Sequence, residues 1–243
     1  MSQRPSVYHD ERTRELQKFV EMALSEAKHP RVLDVGCGDI LPVDFSRDVW
    51  LVGLDISPEA LSRNRNIDEG ILGDVECDPL PAEDYDVVVC WWVLEHLRNP
   101  HAAIKNMARC LKPGGVLIIG VPVLWSFKGL LTKLTPHRFH VWTYRHVFRF
   151  AGAGLPGQGP YRTYLRPDIA PTRLAQVARL EGLERIHALT YRPNLGFPPA
   201  LQDLGFPRTL QAVWSGLGFL GRAATLGRWD PEASEHVAVF RRT

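Results

Sequence analysis

An α/β fold on a doubly wound, mainly parallel sheet is the architecture this sequence predicts, and three observations predict it. Val32, Leu33 and Val35 form a short apolar run closed by Gly36 and Gly38, as a buried strand entering a tight turn would. A second run, Val49 to Leu54, ends on Asp55. Two longer runs, Tyr85 to Trp92 and Val116 to Val121, are apolar almost throughout, the pattern of central strands covered on both faces.

The glycine turn and the acid behind it carry the first functional expectation. Glycine lets the backbone turn sharply and lets a ligand approach closely. An acid closing the next strand is how α/β folds hold an adenosine, the carboxylate accepting from ribose hydroxyls. An ordinary strand-to-helix turn would show the same glycine pair, so Asp55 and the downstream signals separate the two readings.

The totals bound the rest. A chain of 243 residues fits one large domain or a domain with an elaborate cap. A net charge of +2 makes no case for a nucleic-acid partner. Cys37, Cys77, Cys90 and Cys110 are scattered without metal spacing and read as reduced thiols of a cytoplasmic protein. The polar, charged start shows no signal peptide, and no apolar stretch has the length of a membrane span.

Taken in order, residues 1–9 read as a loose arm. Leu16, Phe19, Val20, Ala23, Leu24 and Ala27 recur at helical spacing and predict an amphipathic helix over Asp10–Lys28, either covering the sheet or closing over a cofactor. Between Asp39 and Asp48, Pro42 limits the chain to one or two helical turns. Ser57 and Pro58 predict an N-cap and first position of a short helix ending before Gly70. Ile71 and Leu72 form a brief third strand running to Asp74, which an ordinary turn also explains; its carboxylate could accept from a purine amine. Trp91 and Trp92 close the fourth strand, where ligands of such sheets sit; one indole walls the pocket and the other joins the core. Asn99-Pro100 starts a helix that runs through Leu111, and Lys112-Pro-Gly-Gly115 stops it. A further helix spans Thr172–Leu183, ending at Gly182, before a sixth strand over Leu183–Tyr191 and a seventh over His236–Phe240.

By these residues the chain resembles the class I S-adenosylmethionine-dependent methyltransferases, in their small-molecule branch of ubiquinone- and menaquinone-type enzymes. The matching pieces are VLDVGCG at 32–38, LVGLDIS at 51–57, GDVECDPLP at 73–81, YDVVVCWWVLEHLRNP at 85–100 and LKPGGVLIIGVP at 111–122. The resemblance implies a Rossmann-like, doubly wound, seven-stranded mixed sheet whose last two strands pair antiparallel. It implies S-adenosyl-L-methionine as cofactor. Asp34, Gly36 and Gly38, with Cys37 between the glycines, would shape the methionine end. Asp55 would hold the ribose and Ile56 pack on the adenine. Asp74 and Val75 would read the adenine edge, while Cys90 and Trp91 line the methionine side. Two departures stand out: Ile40 replaces a frequent third glycine, and Pro42 interrupts the first helix. A nicotinamide dehydrogenase shares the turn and the ribose acid, but its fingerprint wants a glycine at Leu41. A cofactor-binding or interaction protein without catalysis is a further alternative on the same fold.

The expected organisation is a single domain, with core 31–122 and 172–243, a substrate cap inserted at 123–171 and an apolar insertion at 195–228. The cap is aromatic and rich in Gly and Pro, an irregular segment suited to closing on a small-molecule substrate. His137, His140 and His96 are the candidate general bases, since imidazole titrates near neutrality. His137, His140 and His146 lack an acid or Cys at ligand spacing, so no metal is assigned. In the apolar insertion, Leu210, Val213, Trp214, Leu217, Phe219 and Leu220 give a helix-like core flanked by Arg208, Arg222 and Arg228. Two readings stand: packing on the cap or in a homodimer, or contact with a lipophilic substrate or a membrane surface.

Overall fold

The computed structural model describes residues 11–38, 41–46, 48–191, 208–226 and 229–243. The arm at 1–9, Asp39 and Ile40 of the glycine turn, residues 195–207 of the apolar insertion and Arg228 lie outside them, as do the side chains of Arg208, Leu210 and Trp214.

Seven strands form one sheet in the order β3-β2-β1-β4-β5-β7-β6. They are β1 (Arg31–Val35), β2 (Trp50–Asp55), β3 (Glu69–Leu72), β4 (Tyr85–Trp91), β5 (Leu111–Pro122), β6 (Leu183–Tyr191) and β7 (Glu235–Arg242). The first five pair in parallel, and β7 runs antiparallel to both β5 and β6. The strand order reverses between β1 and β4. At such a point the crossover connections leave in opposite directions and open a crevice at the carboxyl ends.

Period-two alternation sorts the side chains between two faces. Val32, Val87, Val89 and Trp91 face α1 (Glu11–Leu24), whose Leu16, Val20 and Leu24 are buried on them. These three recur every fourth residue, so one helical stripe covers the sheet. Fully burying each contributes about 1.5–3 kcal/mol. Leu33, Val88 and Cys90 face the other way, toward α3 (Pro100–Cys110) and α6 (Pro171–Leu180).

Four local expectations are corrected. The first helix stops at Leu24 rather than Lys28. The described residues between 41 and 48 contain no helical turn. Instead Gln17 bonds both backbone groups of Asp44, its Nε2 donating to the carbonyl at 2.7 Å and its Oε1 accepting from the amide at 3.1 Å. Lys112-Pro-Gly-Gly115 does not separate helix from strand. It belongs to β5, which pairs with β4 from Leu111 and shifts register between Tyr85 and Val87, a bulge made by the extra residues. The cap is not irregular throughout: it holds α4 (Phe127–Leu134) and α5 (His137–His146). Ser126 caps α4, accepting from Gly129 N. The apolar insertion supplies α7 (Arg208–Ala224).

Candidate functional site

The carboxyl ends of β1, β2 and β4 meet at the point of strand reversal, and the turn after β1 is built to let something approach. Gly36 has φ of +68°, a conformation open to glycine with no Cβ penalty. A Cβ there would lie 2.3 Å from Val93 Cγ2. The amides of Gly36 and Cys37 both donate to Leu54 O, at 2.7 and 3.2 Å, tying the turn to β2. Asn64, just after α2 (Pro58–Arg63), donates through Nδ2 to Cys37 O at 2.5 Å and Gly38 O at 3.0 Å. The expected Ser57 cap is present, with Ala60 N donating to Ser57 Oγ at 3.2 Å.

Asp55 closes β2 half-buried at the rim, accepting from Ser57 N at 2.8 Å. Burial raises its pKa against backbone bonds from Ser57 and Ile56 and the charge of Arg63. Ile56 beside it is 73% exposed, and Leu72 at the end of β3 is 61% exposed. Two bare apolar side chains flanking a carboxylate suit a flat ring joined to a sugar. Asp74 sits at the same edge, its Oδ1 accepting from Glu76 N at 2.8 Å, while Val75 is buried. Asp34 is buried on the α1 side, and burial, with Asp55 nearby, pushes its carboxyl well up.

The remaining sequence candidates lie deeper. The Cys37 side chain packs against Gly53, where a Cβ would meet its Sγ at 2.5 Å, and burial pushes the thiol up to about 12. Cys90 has no exposed surface, and burial raises its thiol well above the usual range. Both are therefore inert thiols. Trp91 lies flat on Gly120 within the α1-side core. Trp92 leaves the strand with φ of +55° and donates from Nε1 to Glu235 Oε1 at 3.0 Å.

Beyond β4 the chain makes a short 3-10 turn, Leu94–His96. The cap closes on this turn, because the amides of Tyr164 and Leu165 both donate to Glu95 O, at 2.8 and 3.2 Å. His96 is fixed as well. Its Nδ1 lies 2.9 Å from Arg162 O, so Nδ1 carries the proton and Nε2 has the lone pair. Burial lowers the His96 pKa, and a charge on His137 lowers it further. His96 and His137 thus share one neighbourhood. His140 has Nε2 2.5 Å from Thr135 Oγ1, and burial, with the charge of His137, lowers its pKa too.

Sequence reasoning missed Glu95 and Asn64. The Glu95 side chain is 7% exposed, and its Oε2 has no hydrogen-bond partner among the described residues. Burial pushes its carboxyl up to about 8, against its own backbone bond and the charge of Lys128, with Glu235 adding to the rise. The sequence signal for Glu95 was slight: an acid directly after the fourth strand.

Comparison with known proteins decides the family. A family model described as a methyltransferase domain matches residues 8–153, more than half the chain. The chain belongs to the methyltransferase-domain family. Among its relatives, a ubiquinone biosynthesis O-methyltransferase of Idiomarina loihiensis is 28% identical over 76% of this chain and 75% of that one. The protein of the same name in Bordetella pertussis is 30% identical, covering 67% and 66%. A ubiquinone/menaquinone biosynthesis C-methyltransferase of Chromobacterium violaceum is 35% identical over 37% and 41%. In structure the chain resembles an S-adenosylmethionine-dependent methyltransferase of Mesorhizobium loti, with TM-score 0.52 and 15% identity over 92% and 95% of the two chains. It also resembles the cyclase SpnF, with TM-score 0.55 and 18% identity over 94% and 80%. At such identities the likeness concerns the fold alone. The methyltransferase is an α/β enzyme that takes S-adenosylmethionine as methyl donor and a small molecule as acceptor. Family membership, rather than the glycine turn, sets the nicotinamide reading aside.

Proposed function

We propose that this methyltransferase acts on a hydroxyl group of a lipophilic small molecule, at the cytoplasmic surface of a membrane. The observation that carries the cofactor assignment is the rim where Gly36, Asp55 and Ile56 come together at the strand reversal. Asp55 would hold the ribose, Ile56 and Leu72 the adenine, with Asp74 at its edge. Gly36 and Gly38 would leave room for the methionine part, and Asp34 lies behind it. Bound S-adenosylmethionine supplies a methyl group on a cationic sulfur. The chain's own contribution is to orient the partners and exclude water, since positioning provides much of the rate of such a displacement.

The acceptor class is drawn from the ubiquinone relatives and from the surface around the cap. Between Val123 and Pro171, Asp168 is the one carboxylate, against seven Lys and Arg, while the whole chain carries +2. Among these cations stand exposed Trp125, Leu134, Phe139 and Trp142. Gly218 and Gly221 of α7 pack on Glu232, Trp229 and Pro231. Its opposite face bares Val213, Leu217, Phe219 and Leu220. Trp229 joins α7 to the cap, its Nε1 donating to Trp125 O at 2.7 Å. Apolar side chains ringed by cations fit an anionic lipid surface. No helix among the described residues is long and apolar enough to cross a membrane, so the contact is peripheral.

The test is incubation with methyl-labelled S-adenosylmethionine and a bacterial lipid extract. Label passing into an organic-soluble product is the expected result. Label staying wholly in the cofactor, or appearing only in water-soluble products, would contradict the proposed acceptor.

A further inference from the structure

We propose that Glu95 is the proton acceptor for a hydroxyl-bearing methyl acceptor, with His96 and His137 completing the subsite. This rests on the methyl-transfer reading above and names the groups that would carry it out.

Among the described residues, two buried polar atoms have no hydrogen-bond partner here, Glu95 Oε2 and His137 Nδ1. A buried polar atom without a partner costs roughly 1–3 kcal/mol, so folded proteins supply a bound water, a ligand or a reacting group to most of them. Here they belong to the 3-10 turn after β4 and to the first residue of α5, and the charge of His137 acts on His96, the chain neighbour of Glu95. His96 Nε2, its lone pair available, is 3.9 Å from Glu95 Oε1. A hydroxyl entering from the cap side would find acceptors and an imidazole already oriented, which is what an acid–base site requires.

Among the described residues, the charged and titratable groups around Glu95 are Lys128 of α4, Glu235 of β7, Cys90 of β4 and His96 of its own turn, with His137 of α5 acting on His96. The bond to its own backbone and the charge of Lys128 favour the carboxylate, against burial and Glu235. A sulfonium seated in the same crevice adds a second positive charge, and a nearby opposite charge favours the ionised form. Glu95 would then be neutral in the free protein and ionised when the donor is bound. The step balances. The acceptor O–H breaks toward Glu95 Oε2 and the freed oxygen pair bonds the methyl carbon. The former C–S pair stays on sulfur, leaving a neutral thioether. His96 Nε2 then passes the proton outward.

The experiment compares wild type with Glu95→Gln, which keeps the shape and removes the titration. Calorimetric titrations with S-adenosylmethionine and with S-adenosylhomocysteine, at pH 7 in two buffers of different ionisation enthalpy, count protons released. Wild type is expected to release protons with the charged donor and none with the neutral product, and Glu95→Gln to release none with either. In the lipid-extract assay the variant is expected to turn over about 100-fold more slowly, with homocysteine-product affinity within twofold of wild type. Equal proton release in both proteins, equal turnover, or loss of product affinity in the variant would overturn the role of Glu95 while leaving methyl transfer standing. Absence of donor binding or of any product in wild type would instead remove the methyl-transfer reading, and this proposal with it.

Discussion

Glu95 links reactivity to stability. An ordinary Glu titrates near 4.5, whereas burial pushes this one up to about 8. Between those pH values the unfolded chain gives up a proton that the folded chain keeps, so stability declines as pH rises through that window. At pH 8 the loss is on the order of 4 kcal/mol. Glu95→Gln removes it. The urea midpoints of the two proteins are expected to separate progressively from pH 5 to pH 8, in favour of the variant. Parallel pH dependences would show that the carboxyl is not held neutral in the native protein. The sequence displayed His96, His137 and His140 as candidates by residue type, but not which of them cluster. Glu95 reads as an ordinary surface charge until the amides of Tyr164 and Leu165, far along the chain, are seen to close on its turn. Asn64 is hidden for the same reason: its acceptors lie on the turn after β1.

Among the elements, α7 and the cap helices carry the exposed apolar surface. Phe219 and Leu220 are 64% and 61% exposed, so replacing both with Ser removes little buried area and should leave thermal stability nearly unchanged. Inserted into lipid they would contribute about 1.5–3 kcal/mol each. The double Ser variant is therefore expected to bind vesicles of phosphatidylcholine mixed with phosphatidylglycerol at least about 100-fold more weakly. Wild-type binding should weaken with added salt, because the cap cations are screened. Sedimentation with neutral and anionic vesicles measures both. Equal binding by wild type and variant would contradict the lipid assignment. A concentration-dependent dimer that the Ser substitutions abolish would assign the face to a second copy. Strands and caps were legible because each rests on local chemistry, as with Ser57 and Pro58. The stretch after Gly38 and the cap helices were not. There Gln17 of α1, and contacts such as Phe127 N donating to Pro231 O at 2.8 Å, settle the backbone from a distance.

In the molecule as a whole, the order β3-β2-β1-β4-β5-β7-β6 places Gly36, Asp55, Val93 and Glu95 along one edge of the sheet. The apolar runs specify the strands, and the crossovers specify which carboxyl ends meet. The segment 123–171, proposed as the cap, is attached at that edge in two places. It is held at the 3-10 turn by Tyr164 and Leu165, and at α2 by Arg63, whose guanidinium donates to Gly157 O. A cofactor seated between these two attachments would lie under the cap with its sulfur end toward β4. The most direct test is calorimetric binding of S-adenosylhomocysteine to wild type, Asp55→Ala and Asp55→Asn, with melting temperatures recorded for each. A ribose held by Asp55 through charge-assisted hydrogen bonds requires both variants to fold and to bind at least about 100-fold more weakly than wild type. Wild-type affinity retained in either folded variant would show that the nucleoside is not seated at this rim.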